Sequence, residues 1–126
     1  MTAGLILFAH GARDPRWATP FEAVAERVRA QRPGLPVRLA FLELMRPSLL
    51  EAGAQLVAAG CTRITVLPLF LGAGGHVRKD LPLLVDELRA THSAVAFALQ
   101  VPIGEDPRVI GVIADVAAAS LSDAAA

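Results

Sequence analysis

Leu5-Ile6-Leu7-Phe8-Ala9 runs directly into His10-Gly11-Ala12-Arg13-Asp14. That junction decides the fold. A short, largely apolar run without polar alternation reads as a strand buried on both faces, which requires a parallel sheet covered by helices on each side. Val37–Leu42, Ile64–Leu69 and Val95–Val101 have the same character.

Between the strands lie helical patterns with start and stop signals. Thr19-Pro20-Phe21-Glu22 reads as a capping box with proline in the first turn, followed by Phe21, Val24, Ala25 and Val28 on one face. Pro47 opens a second helix, with Leu49, Gly53, Leu56 and Val57 inward and Gly60 as its stop. A third begins between His76 and Pro82 and runs to about Ala90. Asp106-Pro107 starts a fourth, with Val109, Val112, Ile113 and Val116 as its stripe, and Ser122–Ala126 is expected to fray. The order βαβαβαβα predicts one α/β domain over residues 1–126, a three-layer αβα architecture on a four-stranded, largely parallel sheet.

Composition narrows the function. Of 126 residues, 54% are hydrophobic and 19% charged, as in a globular chain. Twelve Lys and Arg balance twelve Asp and Glu, which argues against nucleic acid as a partner. Cys61 stands alone, so it is expected to be a buried structural thiol in a reducing compartment. With no signal peptide and no apolar run long enough to span a bilayer, a soluble cytoplasmic protein without a membrane partner is expected.

The chemistry collects where strands end. His10 follows the first strand, Glu43 the second, and Gly72-Ala73-Gly74-Gly75-His76 the third. In a parallel sheet those ends share one edge, where ligands bind. Two imidazoles and a carboxylate suit a borderline divalent ion such as cobalt, nickel, iron or zinc; a plain loop or capping histidine is the alternative at each position. The glycines either cradle an anion at a helix start or let a flat ligand approach the backbone. No Walker lysine-serine pair or dinucleotide fingerprint accompanies them.

Three blocks carry a resemblance. Phe8-Ala9-His10-Gly11-Ala12-Arg13-Asp14-Pro15, then Phe41-Leu42-Glu43 with Pro47-Ser48-Leu49, then Pro68-Leu69-Phe70-Leu71 through Gly74-Gly75-His76-Val77-Arg78-Lys79-Asp80-Leu81-Pro82 resemble the signatures of the CbiX-type sirohydrochlorin chelatases, class II chelatases. The resemblance runs from about Leu5 to Pro107, and the third block is its most specific part. It implies a chelatase-like fold and insertion of a divalent metal, cobalt before iron, into sirohydrochlorin on the route to cobalamin or sirohaem. It places the signature histidines on His10 and His76 and the acidic metal-site residue on Glu43. It further implies a homodimer, because the chain matches the short form of the family. Ala12 departs from the serine of many members.

On this reading no cofactor is tightly bound, and Co2+, Fe2+ or Ni2+ is a substrate. His10 and His76 hold the metal and accept the two pyrrole protons, since neutral imidazole does both. Glu43 neutralises charge and ligates or orients a histidine. Sirohydrochlorin carries eight carboxylates, so Arg13, Arg46, Arg78 and Lys79 are candidates to meet them, with Gly74 and Gly75 against the macrocycle; a solvated surface charge is the alternative for each cation. Asp14 and Asp80 read as local caps or partners of arginine, Trp17 and Phe21 as core rather than macrocycle contacts, and His92 carries no role. Two rivals remain: a metal or tetrapyrrole carrier without catalysis, and a histidine phosphatase, weakened because Ala9 stands where that superfamily has arginine.

Overall fold

The computed structural model describes residues 2–121. Among them the chain forms β1 (Ala3–Ala9), α1 (Thr19–Gln31), β2 (Val37–Phe41), α2 (Leu49–Ala58), β3 (Arg63–Pro68), α3 (Gly75–Thr91), β4 (Ala96–Leu99) and α4 (Pro107–Ala119), with short 3-10 turns at Pro15–Ala18 and Ile103–Glu105. The strands make one sheet in the order β2-β1-β3-β4, every neighbour parallel. The α/β class and four-stranded parallel sheet are those expected from the apolar runs. Ser122–Ala126, expected to fray, lie outside the described residues.

Alternation along the strands assigns the two faces. Ile6, Phe8, Ile64, Val66 and Phe97 are buried in the main core with Leu49, Ala52 and Leu56 of α2 and Leu81, Val85 and Leu88 of α3. Gly53 is needed for this: a Cβ there would stand 2.5 Å from Leu88 Cδ2. The opposite face packs Leu7 and Val37 against Ala25 of α1, with Leu67 and Leu69 at its margin. Cys61 is buried as expected, and burial pushes its thiol pKa up.

Several boundaries move. No capping box forms at Thr19, because helical backbone begins earlier: the Asp14 carboxylate accepts from Arg16 N–H at 2.9 Å and starts the turn Pro15–Ala18, so Thr19 is already inside a helix. The box forms instead at Ser48 and Glu51, one residue after Pro47. The third helix starts at Gly75, which places His76 in its first turn and Pro82 in its interior. β4 is shorter than expected, and Val24 of the first helix is exposed. Trp17 and Phe21 pack as expected, rings 4.6 Å apart, against Ala9, Ala18 and Phe41.

The largest departure concerns α4. Its stripe reads as core-facing, yet Val112, Ile113 and Val116 are exposed and no residue of the helix is buried. Among the described residues it packs on the turn Ile103–Glu105 and covers no sheet face.

Candidate functional site

The register Ala9↔Phe41 continues beyond the strands. Leu42 N–H donates to the Ala9 carbonyl at 2.9 Å, and Glu43 N–H donates to the His10 carbonyl at 3.1 Å. Backbone bonding thus carries the two loops side by side past the sheet edge. Their side chains then meet: His10 Nε2 lies 3.0 Å from Glu43 Oε1, with 51% and 55% of the two side chains exposed. In the tautomer that donates from Nε2, the Nδ1 lone pair stays free.

Gly11 makes this approach possible. Its φ is +96°, and a Cβ there would stand 1.9 Å from the Glu43 carbonyl oxygen. From below, the buried Phe70 ring packs edge-on against His10, centroids 6.2 Å apart, and against Phe8 at 5.9 Å. The imidazole therefore rests on core while its polar edge faces solvent.

The loop after Glu43 is strained. Leu44 has φ +65°, left-handed backbone that costs an L-residue about 1–2 kcal/mol, and Met45 N–H closes onto the Glu43 carbonyl at 2.8 Å. Leu44 is exposed, as are Leu71 after β3 and Val101 after β4. Three loops of one edge thus show water a large apolar side chain beside the polar pair, which suits a ligand with a broad apolar face. Sequence reasoning missed Val101 because it ended Val95–Val101, a run read as continuous strand that outlasts the observed Ala96–Leu99; Leu44 and Leu71 lay just beyond the runs read as strand and were given no role.

His76 is exposed in the first turn of α3, after Gly74 at the cap position. At Gly72, Gly74 and Gly75 a Cβ would meet nothing within 4 Å, and no left-handed φ requires glycine. Neither backbone nor packing within this chain explains them; open backbone beside His76 fits the close approach of a flat ligand. The three expected ligands do not converge fully: among the described residues no group of three His, Cys, Asp or Glu side chains can hold an ion. The chain supplies a His10–Glu43 pair, and His76 stands apart at the start of α3.

The cations divide. Arg46 is ion-paired with Glu51, whose carboxyl falls to about 2, through the Arg46 hydrogen bond first and the Ser48 backbone second. Arg78 donates from Nε to the Ala73 carbonyl at 3.0 Å and pairs with Glu105 at 3.2 Å, tying the glycine loop to the Ile103–Glu105 turn. Arg13 and Lys79 are exposed and take part in no ion pair among the described residues. Asp14 is a local cap, as expected, with its carboxyl lowered by Arg16. His92 ends α3, far along the helix from His76. Ala73, Val77, Leu81, Leu99, Val101 and Pro102 border a cleft of about 260 Å3, below the ~300–1,000 Å3 of pockets that bury a small ligand.

Known proteins share this fold. The CbiX family model matches residues 4–120. The sirohydrochlorin cobaltochelatase of Sulfolobus acidocaldarius is 31% identical over 119 residues, covering 94% of this chain and 93% of that protein. The crystal structure of a CbiX protein from Marinobacter aquaeolei superposes with a TM-score of 0.83 at 39% identity, covering 94% of this chain and 97% of the other. SirB from Bacillus subtilis, solved with Fe3+, gives a TM-score of 0.76 at 27% identity; the match covers 91% of this chain and 46% of SirB.

Proposed function

The chain belongs to the CbiX family, and from that premise we infer that it inserts a divalent metal ion into sirohydrochlorin, with the His10–Glu43 pair receiving the metal. The 3.0 Å separation of Nε2 and Oε1 carries the assignment of residues. Two donors that far apart, each about 2.1 Å from a common ion, subtend roughly 90°, the angle between neighbouring positions of an octahedral ion. Between turnovers the pair holds its geometry by its own hydrogen bond.

Half exposure suits an ion that must leave again. The remaining coordination positions stay with water, and the pyrrole nitrogens replace them one at a time. Each of two pyrrole N–H groups loses a proton as its nitrogen binds the metal, so two protons leave for every ion inserted. His10 takes the second of them at Nε2 as the ion leaves that nitrogen, and Glu43 stabilises the imidazolium so formed. His76, at the start of α3, takes the first, released while His10 still holds the ion. Leu44, Leu71 and the open backbone at Gly74–Gly75 lie against the macrocycle, and Arg13 and Lys79 meet its carboxylates. Arg46 and Arg78 join only by exchanging Glu51 and Glu105 for a substrate carboxylate. Cobalt is favoured over iron, and the lone buried Cys61 suits a reducing cytoplasm.

The working unit is a homodimer formed by the domain spanning residues 1–126. A macrocycle set on one chain would keep a face in water, whereas productive sites bury most of their ligand. A second copy closes the cleft. Incubation with sirohydrochlorin and Co2+, Fe2+ or Ni2+ separately, followed by absorbance, tests the activity and ranks the metals. A rate no faster than spontaneous insertion identifies a carrier instead.

A further inference from the structure

We propose that Arg78 and Glu105 form a clasp that positions His76, so that Arg78 acts through the glycine loop and not by meeting the substrate; this rests on the role given to His76 above. The chain loosens the backbone on both sides of His76. Gly74 and Gly75 precede it, and among the described residues no side chain caps the start of α3. Pro82 follows it inside the helix, with no N–H to donate to the Arg78 carbonyl four residues earlier and a ring that crowds that carbonyl. The first turns of α3 are thus weakly joined both to the loop before them and to the helix after them. Val77 and Leu81 fix one side against the core. On another side, between these turns and the exit of β4, lies the cleft of about 260 Å3 bordered by Val77, Arg78, Leu81 and Val101, which leaves the turn room to shift.

Arg78 removes that freedom. Its backbone N–H donates to the Gly74 carbonyl and its Nε to the Ala73 carbonyl, each at 3.0 Å, so one residue holds two successive carbonyls of the glycine loop. Its Nη2 donates to Glu105 Oε2 at 3.2 Å, 27 positions away in sequence. Glu105 is itself held in place. The N–H of Gly104 donates to the Phe70 carbonyl at 2.9 Å, a Cβ on Gly104 would stand 1.8 Å from the Leu71 carbonyl oxygen, and Glu105 N–H donates to the Pro102 carbonyl at 2.9 Å. The turn Ile103–Glu105 therefore grips the segment between β3 and α3 twice, by backbone at Phe70 and Leu71 and through Arg78 at Ala73.

The chemistry of the clasp calls for arginine. A guanidinium presents Nε and Nη2 in a fixed planar fork that reaches a carbonyl and a carboxylate together, whereas an ammonium is a single point on a flexible stem. With 59% and 39% of the two side chains exposed, the pair contributes little to stability; what it sets is where the loop and the first turn of α3 stand. That placement bears on rate, because a displacement of about 1 Å at a reacting group can cost on the order of 100-fold. A second arginine is committed in the same way after Glu43, where Arg46 pairs with Glu51. The rival is that Arg78 leaves Glu105 for a substrate carboxylate. Neutralising Glu105 separates the two, since it disables a clasp but frees an arginine for substrate.

The test compares the full chain with Glu105→Gln and Arg78→Lys in steady-state insertion of Co2+ into sirohydrochlorin. Both variants should keep the circular dichroism of the parent. Both should lower kcat and kcat/KM together, by about tenfold, with KM for sirohydrochlorin within about twofold of the parent. If Glu105→Gln instead lowers KM at unchanged kcat, while Arg78→Lys raises KM, Arg78 meets the substrate and the clasp is overturned; unchanged kinetics in both variants overturns it equally. A second arm needs no substrate. The amides of Gly104 and Arg78, which donate to Phe70 and Gly74, should exchange their hydrogens about tenfold faster in Glu105→Gln than in the parent, and unchanged exchange overturns the proposal. A parent that inserts no metal defeats the chelatase reading alone, and the exchange arm then decides the clasp by itself.

Discussion

His10 and Glu43 stand 33 positions apart in sequence and 3.0 Å apart in space, and backbone bonding between the two loops sets that distance before the side chains take part. Removing either side chain should therefore leave the frame in place. His10→Ala is expected to lower the rate of metal insertion about 100- to 10,000-fold, the range for loss of a general base. Thermal unfolding should stay within a degree or two of the parent, because the side chain is half exposed. Glu43→Gln keeps a hydrogen-bond acceptor near the imidazole but loses the charge. Its defect should be a metal affinity about 10- to 100-fold weaker, recovered at high metal concentration.

Gly74→Ala and Gly75→Ala separate ligand contact from folding. A Cβ at either position meets nothing among the described residues. At Gly75, inside the helix, alanine is favoured by up to about 1 kcal/mol, so stability should hold or rise; at Gly74, the cap position, alanine should cost up to about 1 kcal/mol while the fold persists. Insertion should fall roughly tenfold or more if the macrocycle lies against this backbone, a loss of about 1.4 kcal/mol in the barrier. Unchanged turnover in both variants would remove the glycine loop from the site.

Gly11→Ala should damage fold and activity together. Left-handed φ costs alanine about 1–2 kcal/mol, and the Cβ would collide with the Glu43 carbonyl oxygen, which forces the two loops apart. Chemical denaturation should show a loss of about 2 kcal/mol or more. Metal titration should show that the remaining folded protein has lost the His10–Glu43 site.

Glu51 gives a pH signature remote from the reaction. Its carboxyl falls from 4.5 to about 2 in the fold, held first by Arg46 and then by the Ser48 backbone. A lowered carboxyl stabilises the folded chain above its unfolded pKa, and that contribution fades as pH falls toward 2. The stability gap between the parent and Glu51→Gln should therefore be constant above about pH 5 and shrink below it. Ser48→Ala, which removes the other half of the capping box, should cost about 1 kcal/mol at neutral pH.

The apolar runs made the fold legible, because a strand buried on both faces leaves no other reading for Leu5–Ala9 or Ile64–Leu69. The edge carrying His10 and Glu43 followed from parallel topology alone. Their pairing did not, since it depends on the φ of Gly11 and on a ladder continuing past the last strand residue. The capping box was misplaced because Thr19 and Ser48 offer similar local patterns, and only the Asp14 turn ahead of Thr19 decides between them. The exposure of α4 was illegible for a different reason: periodicity tells which face of a helix is apolar, not which molecule covers it.

Every strand pairing in this sheet is parallel, and that shapes how the chain must acquire its site. No hairpin can nucleate the sheet, since each neighbour arrives only after a crossover. β1, with His10 at its tip, lacks its second flank until Pro68 has joined. A chain of this length with so few local contacts in its sheet should refold more slowly than a helical bundle of equal stability. The metal-receiving pair would then emerge late, as a product of long-range closure, so that a partly folded chain has little with which to trap an ion.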